Sequence, residues 1–237
     1  MSKKLSGVWI TGGSSGIGKA AVKEFARTGS RVFVSARRTR ELEKLNEELQ
    51  KEKLSAVIFP CNVASSVNVD QTIKKIIAVQ QIDCLINNAG ITSFKAAEDN
   101  SIHEINDIIN TNLLGSIYTI RFLLPHFIRQ GKGTIINILS SATKKIFTNS
   151  SVYTASKLGL LGYTNVLREE VRKYNIRIIN ILPGATETPM WPSQIRKTNS
   201  ARMMTGEEVA RLLVWVYLQE RNMVPEEITI KPVEGDL

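Results

Sequence analysis

Residues 7–18 read Gly-Val-Trp-Ile-Thr-Gly-Gly-Ser-Ser-Gly-Ile-Gly, a short apolar run that breaks directly into a glycine-rich turn. The run does not alternate apolar with polar, so it is predicted to be a strand buried on both faces. A helical pattern, Lys-Ala-Ala-Val-Lys-Glu-Phe-Ala-Arg-Thr, follows at once and is closed by Gly29. Glycines between a strand and a helix let the chain turn sharply and approach a phosphate with no Cβ in the way. The free amides and dipole of the helix N-terminus then favour an anion. Gly12, Gly16 and Gly18 are spaced G-x3-G-x-G, with Ser14, Ser15 and Ile17 between them, a departure from the commoner G-x-G-x-x-G. A tight connection without a ligand is the plainer reading. The strand before, the helix after and the position near the N-terminus favour a dinucleotide pyrophosphate.

The same rhythm continues along the chain. Further strands are predicted at 31–36, 54–59, 82–87, 134–139, 176–182 and 227–231. Helical stretches separate them, including long ones through about 101–130 and 151–174. Strand–helix alternation of this kind demands a parallel sheet with right-handed crossovers and helices on both faces. No linker, repeat or low-complexity tract interrupts it, so residues 1–237 are expected to form one doubly wound α/β domain of about seven strands.

Composition agrees: 43% hydrophobic and 22% charged residues in 237 is that of a soluble globular protein. Cys61 and Cys84 lie in or beside apolar runs, which favours reduced core thiols. His103 and His126 are far from both, so no metal cluster is expected. Neither a signal-peptide stretch nor a membrane-length apolar run is present, and a cytoplasmic location is expected. The formal charge of +9 suggests anionic partners, but the basic residues are scattered and lack interleaved aromatics. Neither a nucleic acid nor a membrane surface is therefore expected as partner.

Two further positions carry chemistry. After the second strand comes Ser35-Ala36-Arg37-Arg38, with no acid until Glu41. An acid there suits the ribose 2′-hydroxyl of NAD, whereas an arginine suits the 2′-phosphate of NADP. Cations at a helix N-terminus oppose its dipole, which favours an anionic partner for Arg37 and Arg38 over a merely solvated face. The other is Tyr153-Thr-Ala-Ser-Lys157, inside a helical stretch. Positions i and i+4 share a helix face, so the ammonium is expected to stand beside the phenol and lower its pKa. Alone, this spacing fits a half-buried helix equally well.

In this order the pieces resemble the short-chain dehydrogenase/reductase family over nearly the whole chain, which implies a Rossmann-type fold and a cytoplasmic NADPH-dependent oxidoreductase. Thr11–Gly18 looks like the family's cofactor loop, and Asn87-Asn88-Ala89-Gly90 like its adenine-side signature. Asn112 resembles the helix asparagine that holds a relay water, and Pro183-Gly184 with Thr188 the segment contacting the nicotinamide carboxamide. Ser140 lies 13 residues before Tyr153, the family spacing for the serine that binds the substrate oxygen; only that spacing separates it from Ser141. The implied catalytic set is Asn112, Ser140, Tyr153 and Lys157, with Tyr153 as proton donor and Lys157 also holding the nicotinamide ribose. Ser15 and Ser35 are expected to add hydroxyls around the 2′-phosphate.

The chain departs from the family at Asn62-Val63, where Asp-Val is common; the Asn62 amide is expected to bond the adenine instead. Its end, ITIKPVEGDL, lacks the G-x5-D-G-G of acyl-carrier-protein reductases, which favours a small free carbonyl or alcohol as substrate over a 3-oxoacyl thioester. A cofactor-bound sensor or scaffold is the other alternative, but it does not need all four catalytic residues. Residues 186–205, with Met190, Trp191, Ile195, Met203 and Met204, are expected to form a lid, in contact with substrate or simply covering the core edge. The apolar surplus on 101–130 and 151–174 implies a homodimer or homotetramer.

Overall fold

The computed structural model describes residues 7–219 and 222–237. Seven strands form one sheet: β1 (Gly7–Thr11), β2 (Arg31–Ser35), β3 (Ala56–Ile58), β4 (Ile82–Asn87), β5 (Gly133–Ile138), β6 (Ile176–Pro183) and β7 (Glu227–Ile230). All neighbours pair in parallel in the order β3-β2-β1-β4-β5-β6-β7. The chain winds outward from β1, then returns to place β4 on β1's other side. That reversal opens a crevice at the carboxyl ends of β1 and β4, where doubly wound folds bind ligands.

Each face of the sheet is covered. On one side Val8, Ile10, Ile86 and Ile136 pack against α1 (Gly16–Arg27), α2 (Thr39–Lys51) and α8 (Gly206–Leu218). On the other, Trp9, Leu85, Ile135 and Ile178 pack against α3 (Ser66–Val79), α5 (Gly115–Gln130) and α6 (Ser151–Val171). Successive strand residues thus serve opposite cores, which is why the strands read as unbroken apolar runs. Both cysteines are buried and unpaired.

Two elements differ from expectation. The stretch at 101–130 is α4 (Ile102–Ile109) and α5 joined by one π-helical turn, Asn110–Leu114, in which Gly115 N–H bonds the Asn110 carbonyl. Apolar periodicity does not register a single widened turn, although such turns recur at functional sites. The segment 186–205, expected as a lid, contains a short helix, α7 (Ser193–Asn199), whose polar residues carry no apolar period.

A buried polar row crosses the apolar layer. Asn87, Asn137 and Asn180 lie side by side in the register of β4, β5 and β6. Asn87 Nδ2 donates to Asn137 Oδ1 at 3.0 Å, and Asn137 Nδ2 to Asn180 Oδ1 at 3.0 Å. Thr119 of α5 and Thr164 of α6 close the two ends at 2.7 and 3.0 Å. Asn137→Ala strands one donor and one acceptor in a dry layer and is expected to lower unfolding free energy by about 2–3 kcal/mol. Urea unfolding measures this; a loss under about 0.5 kcal/mol, the size of an ordinary surface change, would show that the row does not hold the sheet.

Candidate active site

A single cleft of about 990 Å³ runs along the carboxyl edge of the sheet, from the β1–α1 turn to the segment 186–205. At one end the glycine turn is shaped by its neighbours. Gly12 has φ +65°, and a Cβ there would come within 2.7 Å of Ala89 Cα. Gly16 has φ +53° beneath the Thr188 side chain. Gly18 does not face the cleft: it lies behind the turn, where a Cβ would sit 2.3 Å from Asn88 Nδ2. Asn88 ties the two loops together, donating from Nδ2 to the carbonyls of Thr11 (3.0 Å) and Gly12 (3.1 Å).

The start of α1 fits an anion. Its cap, Ser15, uses its side chain for no capping bond, and no acid occupies the first turn. Ser14, Ser15, Gly16 and Ile17 all line the cleft. Next to them come Ala36, Arg37 and Arg38, both arginines exposed, with Arg38 capping α2 by backbone alone. Among the described residues Arg37 makes no ion pair. A pyrophosphate on the amides of α1, with a further phosphate at Arg37, matches this donor set.

At the other end lie Ser140, at the end of β5, and Tyr153 and Lys157 on α6. The Tyr153 phenol lies beside the Ser140 side chain, close enough for the serine hydroxyl to favour its ionised form. Ser140 Oγ also accepts from Ala142 N at 3.1 Å. Ser141 lines the cleft too but is buried, so the phenol separates the two serines where spacing alone could not. Lys157 shares the helix face of Tyr153, with Nζ 5.6 Å from the ring centroid. Its ammonium donates to the Ile138 carbonyl at 2.8 Å and is almost wholly buried. Burial pulls Lys157 down to about 8.

Besides Gly18, three further expectations need correction. Burial raises the Tyr153 pKa, and the Ser140 side chain only partly opposes it; the ammonium does not lower it, because it points at a backbone carbonyl rather than the phenol oxygen. Ser35 offers no hydroxyl to a ligand, since it is fully buried and accepts from Trp9 Nε1 at 2.9 Å. Asn62 lies outside the cleft: its Oδ1 accepts from Ala64 N at 3.2 Å, and Cys61 and Val63 line the wall instead. The Asn112 side chain is engaged by its neighbours: Oδ1 accepts from Ile91 N at 2.8 Å and Nδ2 donates to Ile91 O (2.8 Å) and Ser156 Oγ (3.1 Å). It clamps the loop after β4 onto α6, and sits in the π-helical turn.

The remaining predicted positions, Asn88, Ala89, Gly90, Pro183, Gly184 and Thr188, all line the cleft. The segment 186–205 leaves and rejoins the sheet edge at one point, where Thr186 and Met204 pair and Glu187 N bonds Met204 O at 2.8 Å. Met190, Trp191 and Ile195 face the cleft, whereas Met203 is buried. Trp191 stacks on Phe94 with centroids 5.0 Å apart and planes 19° from parallel. Phe94, Phe147 and Asp236 also line the cleft and were not picked out from sequence, where each is a lone residue in a segment without a repeat.

An anion-ready helix N-terminus and a Ser–Tyr–Lys cluster on the carboxyl edge of one parallel sheet define a Rossmann-fold oxidoreductase. The chain belongs to the short chain dehydrogenase family, whose model it matches over residues 6–199. It is 35% identical over 236 residues to the sepiapterin reductase of Chlorobaculum tepidum, covering 96% of each chain. It is 33% identical over 238 residues to a fatty acyl-CoA reductase of Acinetobacter baylyi, covering 94% of this chain and 80% of that one. Among solved structures, a metagenomic short-chain oxidoreductase in complex with NADP superposes with a TM-score of 0.84 at 25% identity, covering 96% of this chain and 97% of the other. An actinorhodin polyketide ketoreductase variant with NADPH gives 0.90 at 25% identity, covering 98% of both.

Proposed function

We propose that the protein is an NADPH-dependent carbonyl reductase, with the reverse alcohol oxidation as its microscopic counterpart. The observation that carries this is that Ser140, Tyr153 and the buried Lys157 line the same cleft as the anion-ready start of α1, with Lys157 Nζ 5.6 Å from the Tyr153 ring centroid. The bound nicotinamide supplies the hydride. Tyr153 donates its proton to the carbonyl oxygen, and its raised pKa keeps it protonated near neutrality, as an acid must be. Ser140 hydrogen-bonds the oxygen as charge develops on it. Lys157, steadied by the Ile138 carbonyl, holds the nicotinamide ribose. Asn112 acts on position, keeping Ile91 and Ser156 where the cluster needs them.

The substrate is a small free ketone or aldehyde, and the sepiapterin reductase relative makes sepiapterin the first compound to assay. Exposed Ile102 on α4 and Leu158 and Val166 on α6 support pairing of two copies through these helices.

Tyr153→Phe removes one hydroxyl and is expected to cut turnover about 10²–10⁴-fold, the usual worth of general acid catalysis, with NADPH affinity little changed. NADPH oxidation over a panel of ketones and aldehydes, sepiapterin included, tests this; a variant within a few-fold of the parent rate refutes the assignment. NADPH is expected to be preferred to NADH, and Arg37→Ala to reduce NADPH affinity by about 10–100-fold, the worth of one charge-assisted hydrogen bond. Kinetics with both cofactors check it, and a variant that keeps the full preference puts Arg37 in solvent. Light scattering is expected to give a dimer or tetramer at micromolar concentration, and a monomer rejects the pairing.

A further inference from the structure

Among the described residues three buried side-chain atoms lack a hydrogen-bond partner: His126 Nε2, Arg196 Nε and Asp236 Oδ1. Of the three residues, Asp236 alone lines the active cleft. Its side chain is 4% exposed. Its other oxygen, Oδ2, accepts from Lys231 Nζ at 2.8 Å and from Lys145 Nζ at 3.2 Å. Lys145 follows β5 and Lys231 follows β7, so the carboxylate is braced from both sides. Oδ1 lies over Gly184, where a methyl group would come within 3.3 Å of it. Burial opposes ionisation of Asp236, but the hydrogen bonds from the two lysines more than offset it and hold the pKa below its ordinary value. The group is therefore an acceptor only.

A buried carboxylate oxygen without a donor is costly unless a ligand completes it. Two ammonium groups already balance the charge, so the missing partner is a neutral donor rather than a further cation. The stacked Phe94 and Trp191 rings line the same cleft and offer a flat apolar surface, which suits a planar substrate carrying an amide-type N–H.

We propose that Asp236 determines specificity by accepting, at Oδ1, a hydrogen bond from a neutral N–H of the carbonyl substrate, so that ketones carrying an amide-type N–H are preferred to their N-alkylated counterparts. This rests on the carbonyl-reductase reading above. Isatin and N-methylisatin test it, since they share one reactive ketone and differ only in the N–H. The full chain is expected to show a kcat/KM about 10–100-fold higher for isatin, the worth of one hydrogen bond to a charged acceptor. Asp236→Leu is expected to bring the two within about two-fold by lowering isatin alone, with NADPH affinity, measured by its fluorescence, unchanged. Asp236→Asn keeps the shape and an acceptor oxygen without the charge, and is expected to fall between; it serves if the leucine variant does not fold.

Equal use of both ketones by the parent overturns the proposal, as does a leucine variant that keeps the parent's preference. A variant that loses NADPH affinity and slows equally on both ketones also overturns it, and assigns Oδ1 to the cofactor. If neither ketone is reduced while other carbonyls are, calorimetric binding of the pair to the NADP+ complex decides. Tighter isatin binding that Asp236→Leu abolishes upholds the role of Asp236; equal binding ends it. If no carbonyl at all is reduced, the reductase reading itself has failed, and the same binding comparison still judges Asp236.

Discussion

The site depends on the register of β4, β5 and β6, and that register is held by the asparagine row that ties the three strands through their side chains. A parallel sheet in an apolar sandwich resists slippage because one residue of shift turns every apolar side chain to the wrong face. The row adds a directional constraint at one level near the carboxyl ends. From it the chain reaches Asn88 in one residue, Ser140 in three and Gly184 in four. All three line the cleft, and their spacing from the row is fixed because the layer beneath them cannot slide. A hydrophobic contact in the same place would be as stable but less exacting about alignment.

Above that layer the site keeps its charge out of water. Lys157 is sunk among apolar neighbours with one backbone carbonyl as partner, and its lowered pKa reflects that desolvation. Tyr153 is displaced in the opposite direction by the same cause. The two displacements are complementary. Desolvation holds the phenol in its protonated form and leaves the lysine less firmly charged than it would be in water.

Much of this was legible in the sequence because it rests on short-range patterns. Double burial writes itself as unbroken runs such as Ile82–Asn87, and β1 and β4 begin and end where those runs do. The glycine turn and the Tyr153–Lys157 spacing are local as well. Orientation was not legible. Nothing in Ser35 announces that Trp9, 26 residues earlier, needs its oxygen. Nothing in Asn62 announces that Ala64 captures its carbonyl. The Tyr153 pKa was misjudged for the same reason: i, i+4 spacing specifies a shared face but not which way an ammonium points. Asp236 carries no local signal: one lysine partner, Lys145, lies 91 residues away, and Lys231, five residues before it, reads from sequence as an ordinary exposed lysine.

The segment 186–205 has a consequence for how such a protein diversifies. Its two ends meet at Thr186 and Met204, and inside that span Thr188 packs over Gly16, Trp191 stacks on Phe94 and Met203 is buried. Lengthening a loop with fixed ends costs only about 0.6 kcal/mol per doubling. The exposed positions between these anchors, such as Ser193, Gln194 and Lys197, can therefore be extended or exchanged with little effect on folding. Drift there can reshape one wall of the cleft while the sheet and the anchors stay as they are.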